Sequence, residues 1–166
     1  MPIPIPLHND FYSLLNHSPR DKIFHSILQQ QNLNTIKRFP DSIYHAYKSL
    51  GLSFCFVSKS KPIQQCDDYD DNLILDAIDI YNGVTKDGYQ PYSLKLDLPY
   101  IDSSMVAHDI VSLLGEPDRK GGGGQTRLPC WIEYKFEKNS GGMMIQLHGL
   151  DWDDSKMGWT SIVLYR

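Results

Sequence analysis

Two stretches of this chain run in the same order. Arg38–Phe56 reads RFPDSIYHAYKSLGLSFCF, and Arg127–Leu147 reads RLPCWIEYKFEKNSGGMMIQL. Each begins Arg, apolar, Pro, passes through an aromatic run ending in Tyr-Lys, and reaches a Gly that opens a strand-like stretch. Pro stops a helix and cannot donate to a sheet ladder, so it bounds each run from the front. The Gly permits the turn that follows. Each stretch therefore reads as two neighbouring strands, a structural unit used twice. The Pro-to-Tyr spacing differs by two residues between the copies, which calls for a bulge or a shift.

The rest of the chain fits around these stretches. Asn9 or Asp10 can cap a short helix carrying Phe11, Tyr12, Leu14 and Leu15. Ser18-Pro19 and Asp21 suit a second helix start, and Ile23, Phe24, Ile27 and Leu28 make one apolar stripe that fades over Gln29–Asn34. Leu73–Tyr81 is apolar on both faces, as a central strand is. Tyr92–Leu98 alternates, and so reads as a strand. Asp102 or Ser103 caps a main helix whose Val106, Ile110, Leu113 and Leu114 share a face, and Gly115 with Pro117 ends it. The four glycines Gly121–Gly124 read as a mobile connector. Strands are expected at Cys130–Phe136, Gly142–His148 and Thr160–Tyr165.

The expected fold class is α+β: two similar halves, each a helix or helix pair packed on an antiparallel sheet of three to four strands. The chain then forms one compact domain over 1–166, with a first half 9–82, a connector 83–91 and a second half 92–166. At 41% hydrophobic and 22% charged, it has enough apolar residues for a core and is not a disordered chain.

Val-Ser-Leu-Leu-Gly-Glu-Pro, followed by a Gly-rich gap and Trp-Ile-Glu-Tyr, resembles the helix-plus-sheet repeat of the β-lactamase inhibitory protein family. It also resembles the single-unit SmpA/OmlA lipoproteins. In both, a helix ends in Leu-Gly-x-Pro and the next strand carries Trp or Tyr. The match covers Asp109–Leu147 and, more loosely, Lys22–Phe56. The resemblance implies a saddle-like sheet whose concave face binds another protein. The chain departs from both families in having no signal peptide, no lipobox and no cysteine pair within each repeat.

Charge and motifs narrow the function. The net charge of −4 and the absence of a Lys/Arg cluster argue against a nucleic-acid partner. No apolar run approaches the roughly 18–20 residues of a membrane helix. Three cysteines without a C-x-x-C pair argue against structural zinc and suit a reducing compartment, the cytosol or nucleus. The glycine run follows a helix and precedes a strand, the reverse of a phosphate-binding loop. Asp68, Asp70 and Asn72 have calcium-loop spacing, but Leu73 stands where the turn glycine belongs. Asp151, Asp153 and Asp154 form a second acidic loop. His108-Asp109 is an acid–base pair in sequence, yet helical neighbours point about 100° apart. His45 and His148, with Cys55 and Cys130 nearby on strands, would serve a small enzyme. No spacing supports such a pair.

These residues leave no catalytic, metal or cofactor assignment. The reading favoured is a non-enzymatic protein-binding or adaptor domain, cytoplasmic, using an aromatic sheet face. If Ile132, Tyr134 and Phe136 pack inward, Trp131, Glu133 and Lys135 face out, and Tyr44 does so in the first half. The partner-binding residues expected are Trp131, Tyr44, Tyr134, Trp152 and Trp159, the last two at the rim. The alternative is a small enzyme or ligand-binding protein with a cleft between the halves. Homodimerisation through the same face is a third reading.

Overall fold

The computed structural model describes residues 10–28, 35–92, 101–136 and 141–166. Eight strands make one antiparallel sheet: β1 (Thr35–Arg38), β2 (Ile43–Tyr47), β3 (Leu52–Ser58), β4 (Leu73–Tyr81), β5 (Arg119–Gly121), β6 (Trp131–Lys135), β7 (Gly142–Leu147) and β8 (Trp159–Tyr165). Their spatial order is β1-β2-β3-β4-β8-β7-β6-β5. Two four-strand meanders thus meet at the antiparallel β4–β8 pair, where Asp79 lies opposite Val163 and Ile80 opposite Ile162.

This overturns the expectation of two halves, each with helices on its own sheet. The sheet is continuous, because β4 exposes ladder groups on both edges and β8 fills one of them. Among the described residues only α3 (Ala107–Leu114) exceeds one helical turn. The stripe after Pro19 forms a 3₁₀ turn, Lys22–Phe24, running into one turn of helix, α2 (His25–Leu28). The first helix, α1 (Asp10–Ser13), is also a single turn. The expected fade over Gln29–Asn34 and most of the expected strand Tyr92–Leu98 lie outside the described residues.

The helix α3 also begins later than its polar residues suggest. The Asp102 carboxylate is used by a local turn, accepting from the Ser104 backbone N–H at 2.9 Å and from its hydroxyl. Val106 is the N-cap, and Asp109 Oδ2 accepts its N–H at 3.1 Å. Gly115 ends the helix at φ 87°, a region closed to most side chains.

The hydrophobic core lies on one face of the sheet. Ile43, Phe54, Phe56, Ile78, Ile80, Ile132, Tyr134, Ile145, Ile162 and Leu164 supply it, with Phe11, Leu14, Phe24, Ile27 and Ile110 from the helical segments. Fully burying each such side chain contributes about 1.5–3 kcal/mol. A bulge between Cys55 and Phe56 brings Leu75 opposite Phe56 and keeps Leu73 and Leu75 in the core. Residues of opposite parity, from Tyr44 to Trp131, take no part in the core cluster.

Candidate functional site

The face opposite the core is organised in rows across the strands, because antiparallel pairing sets side chains of one parity side by side. One row runs Ala46, Ser53, Asp79, Val163, Met144, Glu133, Arg119. A second, on one side, runs Tyr44, Cys55, Ala77, Tyr165, Gly142, Lys135. A third, on the other side, runs Tyr81, Ser161, Gln146, Trp131, Gly121. The middle row holds two acidic side chains, and half-buried Tyr and Trp residues stand on either side. The middle row, here the trough, runs between two rows that carry aromatic side chains.

Its electrostatics are uneven. Asp79 is half-buried, and burial alone pushes its carboxyl up to about 6. Among the described residues no hydrogen bond or ion pair reaches it. Glu133 is 5% exposed. Its Oε2 accepts from the Tyr165 hydroxyl at 2.8 Å, while Oε1 has no hydrogen-bond partner among the described residues. Arg119 Nη1 stands 3.4 Å from that oxygen, and the guanidinium lies 5.8 Å from the Trp131 ring centre. The Tyr165 hydroxyl is pushed up by burial and by its bond to Glu133. The Tyr44 hydroxyl is pushed up by its bond to Cys55 and by burial. Burial raises Tyr81, which stacks on Tyr89 at 4.1 Å between ring centres.

The residues expected to bind a partner fall in three places. Trp131 and Tyr44 are half-buried on the open face. Tyr134 is not on that face: it is fully buried, and its hydroxyl donates to the Gly115 carbonyl at 2.8 Å. Burial pushes that hydroxyl up to about 12. Its parity matches Ile132, which is why one strand cannot present both Trp131 and Tyr134. Trp159 is also buried, its indole N–H donating to the Asp102 carbonyl at 2.9 Å, so it is no rim residue. Trp152 is exposed but stands off the sheet, beside a cleft of about 330 Å³ lined by Ala107, His108, Val111, Ile132, Trp152, Asp153, Asp154, Ser155 and Met157.

That cleft lies between α3 and the loop before β8, and neither His45 nor His148 lines it. His45 faces the core side, packed between the Phe56 and Tyr69 rings, and its Nε2–H donates to the Asp68 carbonyl at 2.7 Å. Burial pushes its pKa down. His148 is exposed. Cys55 and His45 sit on opposite faces of adjacent strands, and burial raises the Cys55 and Cys130 thiols above their ordinary value. A protonated thiol without a neighbouring base is a poor nucleophile. The acidic loop is already paired: Asp70 with Lys61 of the same loop at 2.7 Å, and Asp68 with Arg38 of β1 at 2.5 Å. Among the described residues no group of three or more His, Cys, Asp or Glu is placed to hold a metal ion.

The glycine run is not a mobile connector. Gly121 belongs to β5 and lies beneath the Trp131 ring, where a Cβ would stand 2.5 Å from the indole. A Cβ on Gly122 would meet the Pro129 carbonyl oxygen at 2.1 Å, and one on Gly123 would meet Trp152 Nε1 at 2.6 Å. The Trp152 indole N–H donates to the Gly122 carbonyl at 3.1 Å, and Lys120 lies 5.5 Å from the ring centre. Glycine is needed here because two indoles and a neighbouring backbone come closer than any side chain allows.

Asp79 sits inside LILDAIDIY, which reads as a strand buried on both faces, so the apolar sequence pattern does not mark it as a site residue. An Asp at such a position is itself a signal, since buried carboxylates are costly unless paired. Comparison of the chain with family models, with curated proteins and with solved structures gave no match.

Proposed function

We propose that this chain is a non-enzymatic protein-binding domain whose open sheet face engages a partner. The observation that carries it is the division of the sheet. The core cluster lies on one face, and the other sets Tyr44, Tyr81, Tyr165 and Trp131 along a trough holding Asp79, which has no hydrogen bond or ion pair among the described residues. Aromatic side chains on an open surface anchor partners through large contact area at low entropic cost. A half-buried carboxylate without a partner among the described residues is unfavourable for folding alone and fits a surface completed by another molecule.

The experiment is partner capture from the native cell by wild type and by Trp131→Ala, both checked for fold by circular dichroism. Loss of a specific protein from a folded W131A sample supports the reading. Undiminished capture by folded W131A, or unfolding of the variant, removes Trp131 from a binding role.

Two finer readings accompany it. Three free, buried cysteines favour a reducing compartment, and we place the protein in the cytoplasm on that ground. No helix among the described residues is long and apolar enough to cross a membrane. The strand order is what two copies of one four-strand meander would produce, with β1–β4 corresponding to β5–β8.

A further inference from the structure

We infer that the trough takes an extended segment of the partner protein carrying two basic side chains four residues apart, one meeting Asp79 and the other Glu133. This rests on the reading of the open face as a partner surface, and it names what that partner presents.

The spacing comes from the register. Asp79 and Glu133 lie in one cross-strand row, with Val163 and Met144 between them. Three steps between strands span about 14 Å. An extended chain rises about 3.3 Å per residue and returns a side chain to one face every second residue, so positions i and i+4 stand about 13 Å apart. Positions i and i+2 fall short at about 7 Å, and i+6 overshoots at about 20 Å. In a helix, i and i+4 are only about 6 Å apart, which excludes that conformation for the same pair. The residue between, at i+2, would lie over Val163 and Met144, an apolar floor.

The charge comes from what the two carboxylates lack. Asp79 has no hydrogen bond or ion pair among the described residues. Glu133 is 5% exposed, and one of its oxygens has no hydrogen-bond donor among the described residues. Arg119 shows that a cation fits there: its guanidinium approaches both Glu133 Oε1 and the Trp131 ring. That side chain is 62% exposed on the edge strand β5, so it swings aside at little cost. Tyr81 beside Asp79 and Trp131 beside Glu133, both in the third row, set an aromatic ring next to each carboxylate. The chain's net charge of −4 favours the encounter.

The test uses the full chain and three fluorescently labelled peptides, read by anisotropy at low and at physiological salt. Thr-Lys-Thr-Val-Thr-Lys-Thr carries lysines at i and i+4. Thr-Lys-Thr-Val-Lys-Thr-Thr shifts one to i+3, and a third peptide replaces both lysines by glutamine. The expected result is that the i,i+4 peptide binds about tenfold more tightly than either control, with the advantage falling as salt rises and lost in Asp79→Asn. Equal affinity for the two spacings, or an unchanged advantage in D79N, overturns the inference. Binding of all three peptides alike that is lost in W131A would leave the open face as a binding surface and remove the paired cations. No binding of any peptide overturns the inference, and partner capture by W131A then judges the face independently.

Discussion

The Tyr165 hydroxyl donates to Glu133 Oε2 at 2.8 Å, reaching across Gly142 to do so. A Cβ on Gly142 would stand 2.5 Å from that hydroxyl, so the small residue makes the reach possible. Tyr165→Phe leaves a buried carboxylate with neither oxygen hydrogen-bonded, a loss of about 1–3 kcal/mol. Urea denaturation reads it. Combining Y165F with Glu133→Leu, which removes the acceptor, should cost less than the sum of the two, because each removes the same bond. Additive losses would show that the two residues do not interact.

The Asp79 carboxyl, pushed up to about 6 by burial, gives a pH dependence of definite sign. An unfolded Asp titrates near 3.9. Below about pH 4 the group is protonated in both states and contributes nothing against folding. As pH rises through about 6, the folded state must hold a half-buried charge that the unfolded chain carries in water. Asp79→Asn should therefore gain about 1–3 kcal/mol over wild type at pH 7.5, with the gain vanishing near pH 4. Urea midpoints across that range check it. A variant less stable at pH 7.5 would mean that the carboxylate is paired.

Glycine requirements differ sharply between neighbours in the run. A Cβ on Gly123, at φ 75°, would stand 2.6 Å from the Trp152 indole nitrogen and 2.7 Å from Cys130 Sγ. Gly124, at φ 56°, has no atom within 4 Å of its Cβ position. Gly124→Ala should cost about 1 kcal/mol from backbone strain alone. Gly123→Ala should cost more, by about 1–3 kcal/mol, and shift Trp fluorescence as Trp152 is displaced. Equal losses would mean that the Trp152 contact contributes nothing.

Trp131 and Tyr134, on opposite faces of β6, should separate core from surface. Tyr134→Ala empties a fully buried site and should cost about 3–5 kcal/mol. Tyr134→Phe removes only the bond to the Gly115 carbonyl, about 1 kcal/mol. W131A should cost less than Y134A, since Trp131 is half-buried outside the core cluster. Thermal denaturation of the three variants ranks them, and a W131A loss equal to that of Y134A would place Trp131 in the core.

How much of this was legible depends on the range over which each feature is determined. Strand parity is local: Ile132 and Tyr134 alternate with Trp131 and Glu133, and the sheet places them on the two faces that alternation requires. The same alternation puts Tyr134 with Ile132 and off the face that carries Trp131. The single sheet was not legible, because the β4–β8 pair joins residues as far apart as Ala77 and Tyr165, and no local pattern specifies a partner at that separation. The glycine run misled for a related reason. Four glycines have the composition of a linker, and only the arriving indoles of Trp131 and Trp152 show that the space was reserved. Trp159 looked like a rim anchor beside an acidic loop, yet its N–H closes on the Asp102 carbonyl from a distant segment.

The central claim is that a partner covers the open face and leaves the cleft beside Trp152 alone. Hydroxyl-radical footprinting of the native complex, read by mass spectrometry, tests it directly. Met144 and Trp131 on the open face should be protected in the complex, with Trp152 labelled as in the free chain. Protection of Trp152 with Met144 and Trp131 unchanged would contradict the account and move the interaction to the cleft.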